Sequence, residues 1–434
     1  MKHCIALFLA VGLAVAHGQG ADRTPFNVVD FGAKGDGVTK DTAAIQKALD
    51  ACAAAGGGTV LVPAPTGALG VYLTGSLIIS SNTTLELATR PQRACLMGSP
   101  DIEDYPIVNV RWEGEFREGH RALISATDAA NVTITGGTIY GPPVSLGRLR
   151  NPRGPVLIEL AGCTNATLEN FTTLYQQLWS IHLLYCQNAL ARNLIIRTVG
   201  ANGDGLDIDS CSGVTVEHCD INTGDDAISL KSGRGLAAQN LGRPTENVII
   251  RDCRLQSSIY AALGLGTEIS GGVRAVKIQN CVISGSQNAI FIKSRDGRGG
   301  YMEDISGENI TVLKSPTFIG IDLITKGIQA SDPVPGEVEK WSRLKNISFK
   351  NIHLQDVSQL IDGDSIPPSR PVDGFTLTDI TGNCARGISL VNMTNVNLSG
   401  IRVTNYTGKL LALENVTGTG LKDPSATLDP PAGK

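Results

Sequence analysis

The sequence has few aromatic residues, few charges and no cysteine spacing typical of a metal site. Of its 434 residues 5% are aromatic and 18% are charged, and the formal net charge is −4. Nucleic acids and anionic membranes select for basic surfaces, so this balance argues against either one as the main partner. The cysteines contain no paired CxxC motifs and therefore give no indication of a zinc site.

Long apolar runs are also lacking, apart from one near the start of the chain. A short basic beginning precedes the apolar residues 5–16, in which Ala14 and Ala16 are small residues suited to cleavage. A membrane-spanning helix needs about 20 apolar residues, and this run is shorter. We therefore predict that residues 1–20 are a signal peptide, that the protein is secreted or periplasmic, and that no segment spans a membrane.

The sequence is rich in glycine, with 50 residues, and in short runs of valine, isoleucine and threonine that favour strands. From about residue 75 a motif of alternating apolar residues recurs at intervals of 21 to 42 residues, and no helical stretch is expected between the repeats. This pattern predicts an all-β chain, folded as a right-handed parallel β-helix whose coils stack about 4.8 Å apart. The motifs begin at residues 131, 165, 188, 213, 247, 275, 304, 346, 374 and 395.

The β-helix is expected to form one domain over residues 21–417, with an N-terminal cap over about 26–60 and an exposed tail over 418–434. In the cap, a helix beginning near Asp41 or Thr42 has one apolar face and ends at the glycines 56–58. Residues 90–125 and 326–345 depart from the repeat and carry charges and prolines. Such insertions project from a β-helix and shape a groove.

Ten cysteines include Cys4 in the predicted signal peptide, which leaves an odd number and hence at least one free thiol or an intermolecular bond. The repeat places several of them at equivalent positions, which predicts ladders of small buried side chains. These cysteines are Cys163, Cys186 and Cys211 before their motifs, and Cys219, Cys253 and Cys281 within theirs.

Aspartates form two clusters, one at Asp204 and one at Asp225 and Asp226, and the 21 residues between them match one coil. We expect the three carboxyls to share one strip, provided that Gly224 lets the backbone turn. Crowded carboxylates repel, which raises a pKa toward neutrality and suits a general acid beside a general base. The same repeat offsets place Trp179, His182, Thr267, Glu268 and Lys293 in this strip.

Each of these residues also has a structural interpretation. Paired aspartates often cap turns, Lys293 can be a solvated turn residue, and His182 can be a partly buried group with its hydrogen bonds satisfied. For Asp207 and Asp209 we predict only that they hold loops through hydrogen bonds.

Several motifs together resemble glycoside hydrolase family 28, the polygalacturonase and rhamnogalacturonase family, over nearly the whole chain after the signal peptide. The resemblance implies inverting hydrolysis of α-galacturonosyl linkages in pectic polysaccharide or oligogalacturonides without a metal. We also expect no other cofactor and a monomeric protein. The motifs are Asn202-Gly203-Asp204, Gly224-Asp225-Asp226, GTEISGG at 266–272, IKSRDGRGG at 292–300, GSPDIEDYP at 98–106 and LWSIHLLYC at 178–186.

The resemblance also implies roles for single residues. Asp225 would protonate the glycosidic oxygen, Asp204 and Asp226 would activate water, and Lys293 would bind a substrate carboxylate. Inverting carboxyls are typically about 6.5–9.5 Å apart. Further substrate contacts are predicted for Asn202, Trp179, His182, Lys231, Glu268, Arg295 and Arg298.

Two positions depart from the family pattern. Tyr260-Ala261-Ala262 stands where a GHG histidine is expected, and Phe291 replaces an arginine, which removes a two-pronged carboxylate donor that Arg295 or Arg298 would have to supply. A rhamnogalacturonan or modified-uronide hydrolase therefore stays open beside an enzyme that acts on polygalacturonan from chain ends. A calcium-dependent pectate lyase and a non-catalytic glycan-binding β-helix also stay open.

Overall fold

The computed structural model describes residues 24–64, 69–176, 178–324 and 339–422. The predicted signal peptide, most of the 326–345 stretch and the last twelve residues lie outside this range. Within it the chain winds as the predicted right-handed parallel β-helix, in which each coil contributes strands to three parallel faces. None of the helices in the described residues is both long enough and apolar enough to cross a membrane.

The first face begins at the cap and receives one strand from each coil. Its strands are Phe26–Asn27, Gly58–Val62, Thr83–Leu87, Thr133–Gly136, Thr167–Glu169, Gln187–Arg192, Ser212–Glu217, Thr245–Arg251 and Val273–Gln279. The second face consists of Asp36–Lys40, Val71–Thr74, Cys95–Gly98, Thr138–Tyr140, Thr172–Gln176, Ile195–Thr198, Asp220–Thr223, Arg254–Ser257 and Val282–Ser284.

The third face positions the candidate site. It consists of Leu77–Ile78, Ile124–Thr127, Ile158–Ala161, Ile181–Leu184, Leu206–Asp209, Ile228–Lys231, Ala261–Leu265, Asn288–Lys293 and Thr317–Asp322. Toward the C-terminus the strands continue around the corners between faces, as Tyr301–Leu313, Arg343–Ser365, Val372–Thr404 and Leu411–Thr419.

Left-handed turns set the register of the coils. Every predicted motif start has a positive φ, for example 57° at Asn131, 55° at Asn165 and 55° at Asn188. Asparagine and glycine adopt this conformation most readily, which explains their recurrence there. The asparagine side chains also stack, since the amide of Asn131 donates to Asn82 (2.8 Å) and that of Asn165 donates to Asn131 (3.2 Å).

The interior of the coils is apolar, and the predicted cysteine ladders lie within it. Cys186 and Cys211 are adjacent, with the backbone N–H of Cys186 donating to the Cys211 sulfur (3.2 Å). All nine cysteines of the described residues are free thiols, and all but Cys95 are buried. They pack as small apolar side chains, and burial raises the pKa of Cys384 to about 11.

The N-terminal helix spans Thr42–Ala54, as predicted, and buries Ile45, Ala48, Leu49 and Cys52 against the first coils. Asp41 precedes it without capping it. Instead, the Asp41 carboxylate accepts the backbone N–H groups of Lys34 (2.7 Å) and Gly35 (3.0 Å) and holds the glycine-rich turn.

Three insertions in the described residues adjoin the third face. Residues 107–120 form an antiparallel hairpin, Ile107–Trp112 with Glu115–His120. Short helices at Val144–Gly147 and Gly235–Leu241 interrupt the coils, so the expectation that no helix lies between repeats was wrong. These helices are only four and seven residues long, too short to give a clear apolar period in the sequence.

Candidate active site

The three aspartates meet at the edge of neighbouring strands on the third face. Asp204 lies two residues before the strand Leu206–Asp209, and the turn with Asp225 and Asp226 leads into Ile228–Lys231. Leu206 pairs directly with Ile228 in these adjacent strands. The 21-residue gap is therefore one coil, as the repeat predicted.

Glycines make room for the carboxyls rather than supplying unusual backbone angles. We expected Gly224 to be needed for a turn, but its φ is not in the left-handed region. A Cβ there would instead lie 2.2 Å from the carbonyl oxygen of Gly200 on the preceding coil. Likewise, a Cβ at Gly264 would lie 2.3 Å from a carboxylate oxygen of Asp226. Larger residues at either position would displace the acids.

A cleft of about 430 Å³ opens above the three aspartates. It gathers nearly all the residues that the repeat and the resemblance singled out, from Trp179 on one coil to Arg295 four coils later. The predicted residues in its lining are Trp179, Asn202, Asp204, Asp225, Asp226, Lys231, Thr267, Glu268, Lys293 and Arg295.

Two lysines hold the carboxyls in place. The Lys293 ammonium donates to Asp226 (2.8 Å), while Lys231 contacts Asp207 (2.7 Å) and Asp204 (3.5 Å). Within the described parts of the chain Asp225 has no lysine partner of this kind, and it accepts the backbone N–H of Asn202 (2.8 Å) instead. The three catalytic candidates therefore have different surroundings, although they are the same residue type.

The surroundings raise the pKa values of Asp204 and Asp225 through different combinations of burial, charge and hydrogen bonding. Burial, followed by the charges of Asp207 and Asp225, raises the pKa of Asp204 well above its usual value. Burial and the charge of Asp226 raise the pKa of Asp225, against the opposing effect of the Asn202 N–H. The sequence predicted a raised pKa from repulsion alone, whereas desolvation is the larger cause.

The lysines stay charged despite being buried. Burial works to lower the pKa of Lys231, but Asp207, Asp204 and Glu268 raise it well above its usual value. The pKa of Lys293 is raised by Asp226 in the same way, against burial. Because carboxyls outnumber lysines here, a proton on one carboxyl reduces the excess of buried negative charge. The site can thus hold a protonated acid beside an ionised one.

The carboxyl groups of the three aspartates lie close together on the floor of the cleft. One oxygen from each of Asp204, Asp225 and Asp226 can be chosen so that all three lie within 4.8 Å of one another. The same arrangement of three oxygens is compact enough to ligate a cation. A water molecule between two of these carboxyls would contact both.

Comparisons with known proteins identify the family of this chain. A profile described as "Glycosyl hydrolases family 28" matches residues 52–353, which is more than half of the chain. The chain belongs to glycosyl hydrolase family 28.

Relatives of this family 28 glycoside hydrolase cover most of its length. A "Probable polygalacturonase" of Vitis vinifera is 31% identical over 395 residues, covering 86% of this chain and 77% of the relative. An "Exo-poly-alpha-D-galacturonosidase" of Dickeya chrysanthemi is 26% identical, covering 87% and 68%. The solved structure of a hyperthermoactive exopolygalacturonase from Thermotoga maritima is 26% identical, with a TM-score of 0.73 over 93% of each chain.

The side chain of His182 in this glycoside hydrolase is fully buried and lies outside the lining of the cleft, so its contact with substrate stays a prediction. Its ring lies between Glu159 (Nδ1 to Oε2, 3.0 Å) and Asp209 (Nε2 to Oδ2, 3.9 Å). Burial works against its charge, but Asp209 and Glu159 raise the pKa of His182 to about 9. It packs edge-on against Trp179, whose ring centroid is 3.7 Å from the Lys231 ammonium. His182 therefore lies beneath the cleft and holds Trp179 and Asp209 in place.

Arg298 is also buried, with 1% of its surface exposed, and it lies outside the lining of the cleft, so its contact with substrate stays a prediction. Its carbonyl oxygen accepts the Ser270 hydroxyl (2.6 Å) and the Gln239 amide (3.1 Å). The residue thus ties the GTEISGG and GRGG segments together. Asp209 has a structural role, as predicted: its carboxylate lies 3.1 Å from Nε of Arg111, a residue of the 107–120 hairpin.

Sequence reasoning missed several residues of the cleft. Glu113 comes from the tip of the 107–120 hairpin and Arg150 from the loop after Val144–Gly147. Both lie in insertions, where the repeat gives no register. Tyr260 and Phe291 were noted only as departures from the family, yet both line the cleft and lie 5.5 Å from the Lys293 ammonium.

Proposed function

We propose that this secreted enzyme hydrolyses α-galacturonosyl linkages of pectin from chain ends. One observation carries the proposal: three buried carboxyls, with raised pKa values at Asp204 and Asp225, meet two charged lysines on the floor of a cleft. The polygalacturonase relatives supply the substrate class. A lysine beside the acids suits a sugar that itself carries a carboxylate.

The proposed mechanism assigns one carboxyl to each proton transfer. Asp225, whose carboxyl accepts backbone N–H groups while Asp204 and Asp226 contact lysines, donates its proton to the glycosidic oxygen as the bond to the anomeric carbon breaks. Asp226, paired with Lys293, and Asp204 remove a proton from the water that forms the new bond. The leaving sugar departs as an alcohol, and the proton that water loses replaces the one that Asp225 gave.

The stereochemical outcome tests this assignment. We propose inversion, in which water attacks the face opposite the leaving group. Proton NMR of the first products from an α-linked oligogalacturonide should show the β-anomer before mutarotation. An initial α-anomer would instead indicate a carboxylate nucleophile and a covalent intermediate.

We propose exo action because residues from two insertions close the cleft on one side. Glu113 of the hairpin and Arg150 of the adjacent loop both line it on the N-terminal side of the acids. Such walls would stop a chain from passing through. Digestion of polygalacturonan should then release one short product from the earliest time points, while the viscosity falls slowly. A broad early ladder of oligomers would overturn exo action but leave the hydrolase proposal intact.

A modified uronide is the second candidate substrate, because the aromatic rings of Tyr260 and Phe291 flank Lys293. A subsite that binds only a charged carboxylate would instead have further hydrogen-bond donors at these two positions. Aromatic rings favour an apolar group such as a methyl ester over an extra charge. Comparing rates on polygalacturonan, partially methyl-esterified pectin and rhamnogalacturonan separates the candidates. Inactivity on all three would count against a pectic substrate.

A lyase and a glycan-binding protein differ from a hydrolase in their products, and one assay distinguishes all three. Lyase action would give unsaturated products that absorb ultraviolet light and disappear with a chelator. Hydrolysis gives neither result. Binding of oligogalacturonides without any turnover would favour a non-catalytic β-helix.

A further inference from the structure

An aromatic cluster joins the 107–120 hairpin to the catalytic cleft. Two of the three tryptophans in the chain, Trp112 and Trp179, pack together with ring centroids 4.2 Å apart. Trp112 belongs to the hairpin, whereas Trp179 precedes the third-face strand Ile181–Leu184 and lines the cleft. Both are buried in a small apolar cluster that is separate from the interior of the coils. Its other members are Ala122, Val156 and Leu178.

Each tryptophan ring also faces a buried cation. The guanidinium carbon of Arg153 lies 2.9 Å from the ring centroid of Trp112, and the ammonium of Lys231 lies 3.7 Å from that of Trp179. Both cations are 5% exposed. The face of an aromatic ring attracts a cation, most strongly where water is excluded. Arg153, the two rings and Lys231 therefore form a continuous series of attractive contacts, which we call the tryptophan column.

At one end of the column the Trp112 ring is a close partner of Arg153. Among the described residues neither Nε nor Nη2 of Arg153 has a hydrogen-bond acceptor. The backbone carbonyl of Arg153 accepts the N–H of His120 (2.8 Å), which joins the residue to the base of the hairpin. A buried cation is unfavourable unless a neighbouring group offsets its desolvation, and the ring face does so here. Arg153 and Trp112 thus hold each other in place.

At the other end the column meets a catalytic carboxyl. The Lys231 ammonium contacts Asp207 (2.7 Å) and Asp204 (3.5 Å), and the charge of Glu268 also acts on it. A lysine side chain is flexible, so its ammonium stays in one place only where the surroundings confine it. The Trp179 ring provides such a surface and confines the ammonium to the side of the two aspartates.

Charged groups on several elements act on the Asp204 carboxyl. Neighbouring carboxylates raise its pKa and Lys231 lowers it, while the charges of Arg153 and Lys293 interact with it as well. The other titratable groups of this cluster are Asp207, Asp225, Asp226, Glu268 and His182. Displacement of the Lys231 ammonium would therefore raise the pKa of Asp204. Trp112 is uncharged, so it changes this pKa only by changing where the charged groups lie.

We propose that Trp112 is a positioning residue, which acts through Trp179 to hold the Lys231 ammonium against Asp204 and so favours the ionised carboxylate that accepts a proton from water. Arg153 supports Trp112 in this role. The inference rests on the proposed function, because it uses Asp204 as a base. Neither Trp112 nor Arg153 lines the cleft, so any effect of theirs on the chemistry passes through the column. The hairpin then contributes to the reaction in addition to forming a wall.

The test is the pH dependence of kcat/KM on trigalacturonate for wild type, Trp112→Leu and Trp112→Phe. The acidic limb reports the bases of the free enzyme. In Trp112→Leu this limb should move to higher pH by about half a unit to one unit, a 3- to 10-fold loss at the acidic end. Trp112→Phe keeps an aromatic face and should lie close to wild type. Ionisation of the substrate is the same for every variant and does not contribute to the difference.

Phe116→Leu is the matched control, because Phe116 is an exposed aromatic residue of the same hairpin outside the column. Its profile should match wild type. An unshifted profile in Trp112→Leu would overturn the inference, as would an equal shift in the control or a uniform loss at every pH. If Trp112→Leu does not fold, Trp112→Met, whose flexible side chain fills more of the space, decides by the same criterion. A wild type that cleaves no oligogalacturonide would instead refute the proposed function.

Urea unfolding tests the column without any substrate. The free energy of unfolding is measured for Trp112→Leu, Lys231→Met and the double variant. Because both changes remove the same support, the double variant should lose less than the sum of the two single losses. The losses of Phe116→Leu and Lys231→Met should add. Additive losses for Trp112→Leu and Lys231→Met would reject the column, whatever the substrate of the enzyme.

Discussion

Stacking brings charged residues of neighbouring coils together on both the first and the third face, with opposite consequences. On the first face exposed ion pairs join neighbouring coils, such as Arg192 with Glu169 (2.6 Å) and Arg274 with Glu246 (2.6 Å). On the third face the stacked charges of Asp204, Asp207 and Lys231 are buried. The first face pairs acids with bases at the surface, whereas the third face holds more acids than bases away from water.

The difference shows how one repeat serves both stability and chemistry. Exposed pairs contribute little, because solvent screens them and ordering the side chains costs entropy. The stability of a buried ion pair depends on both partners, because removing one leaves the other charge with neither a counterion nor solvent. The third face can therefore keep carboxyls in unusual protonation states, and substitutions of charged residues on the first face should cost little stability.

The largest effect is expected from Asp225→Asn, which removes the proposed proton donor. Turnover of oligogalacturonides should fall by about 1,000-fold or more, while the melting temperature is maintained or rises because an excess buried carboxyl is gone. Glu169→Gln on the first face is the matched control and should keep full activity. Retained turnover in Asp225→Asn would refute the assigned role.

Lys231→Met should be the most destabilising of the changes considered, at about 3 kcal/mol in urea unfolding, because it leaves Asp204 and Asp207 buried without their cation. The matched change Arg274→Met on the first face should cost several times less. Lowering the pH should shrink the Lys231→Met effect, since Asp207, with a pKa raised to about 6 chiefly by burial, can then take up a proton. Equal losses in the two variants would contradict the contrast between the faces.

His182 should give the third face a distinctive pH dependence. Its folded pKa of about 9 exceeds the usual 6.5, so its stabilising effect is complete below pH 6.5 and is lost as pH rises through 9. Melting temperatures of wild type and His182→Gln should therefore differ most below pH 6.5 and converge above 9. A difference that is constant with pH would show that His182 is not charged in the folded enzyme.

The smallest effect is expected in the asparagine turns that lead into the first face. Asn165 has a φ of 55°, where alanine is strained by about 1 kcal/mol and glycine is not. Chemical denaturation should rank Asn165→Ala below Asn165→Gly, although both lose the amide ladder to Asn131. The reverse ranking would show that the ladder outweighs the backbone angle.

Much of this architecture could be predicted because a β-helix repeats along a single direction. Motif starts such as Asn131 and Asn165 were found from alternating apolar residues, and each proved to be a left-handed turn. The distance of one coil between Asp204 and Asp225 followed directly, as did the ladders of buried cysteines. Glu113 and Arg150 could not be placed, because hairpins and loops outside the repeat have no register to count from.

The sequence by itself determined the coil register, the strip of aspartates and lysines, and the family. Each of these depends on spacing along the chain, and neighbouring coils convert that spacing directly into contacts. Only the tertiary structure decided that His182 and Arg298 are buried behind the site, that desolvation dominates the carboxyl pKa values, and that Arg153 contacts the ring of Trp112. Burial and charge state depend on everything packed around a side chain, including insertions that come from coils far away in sequence.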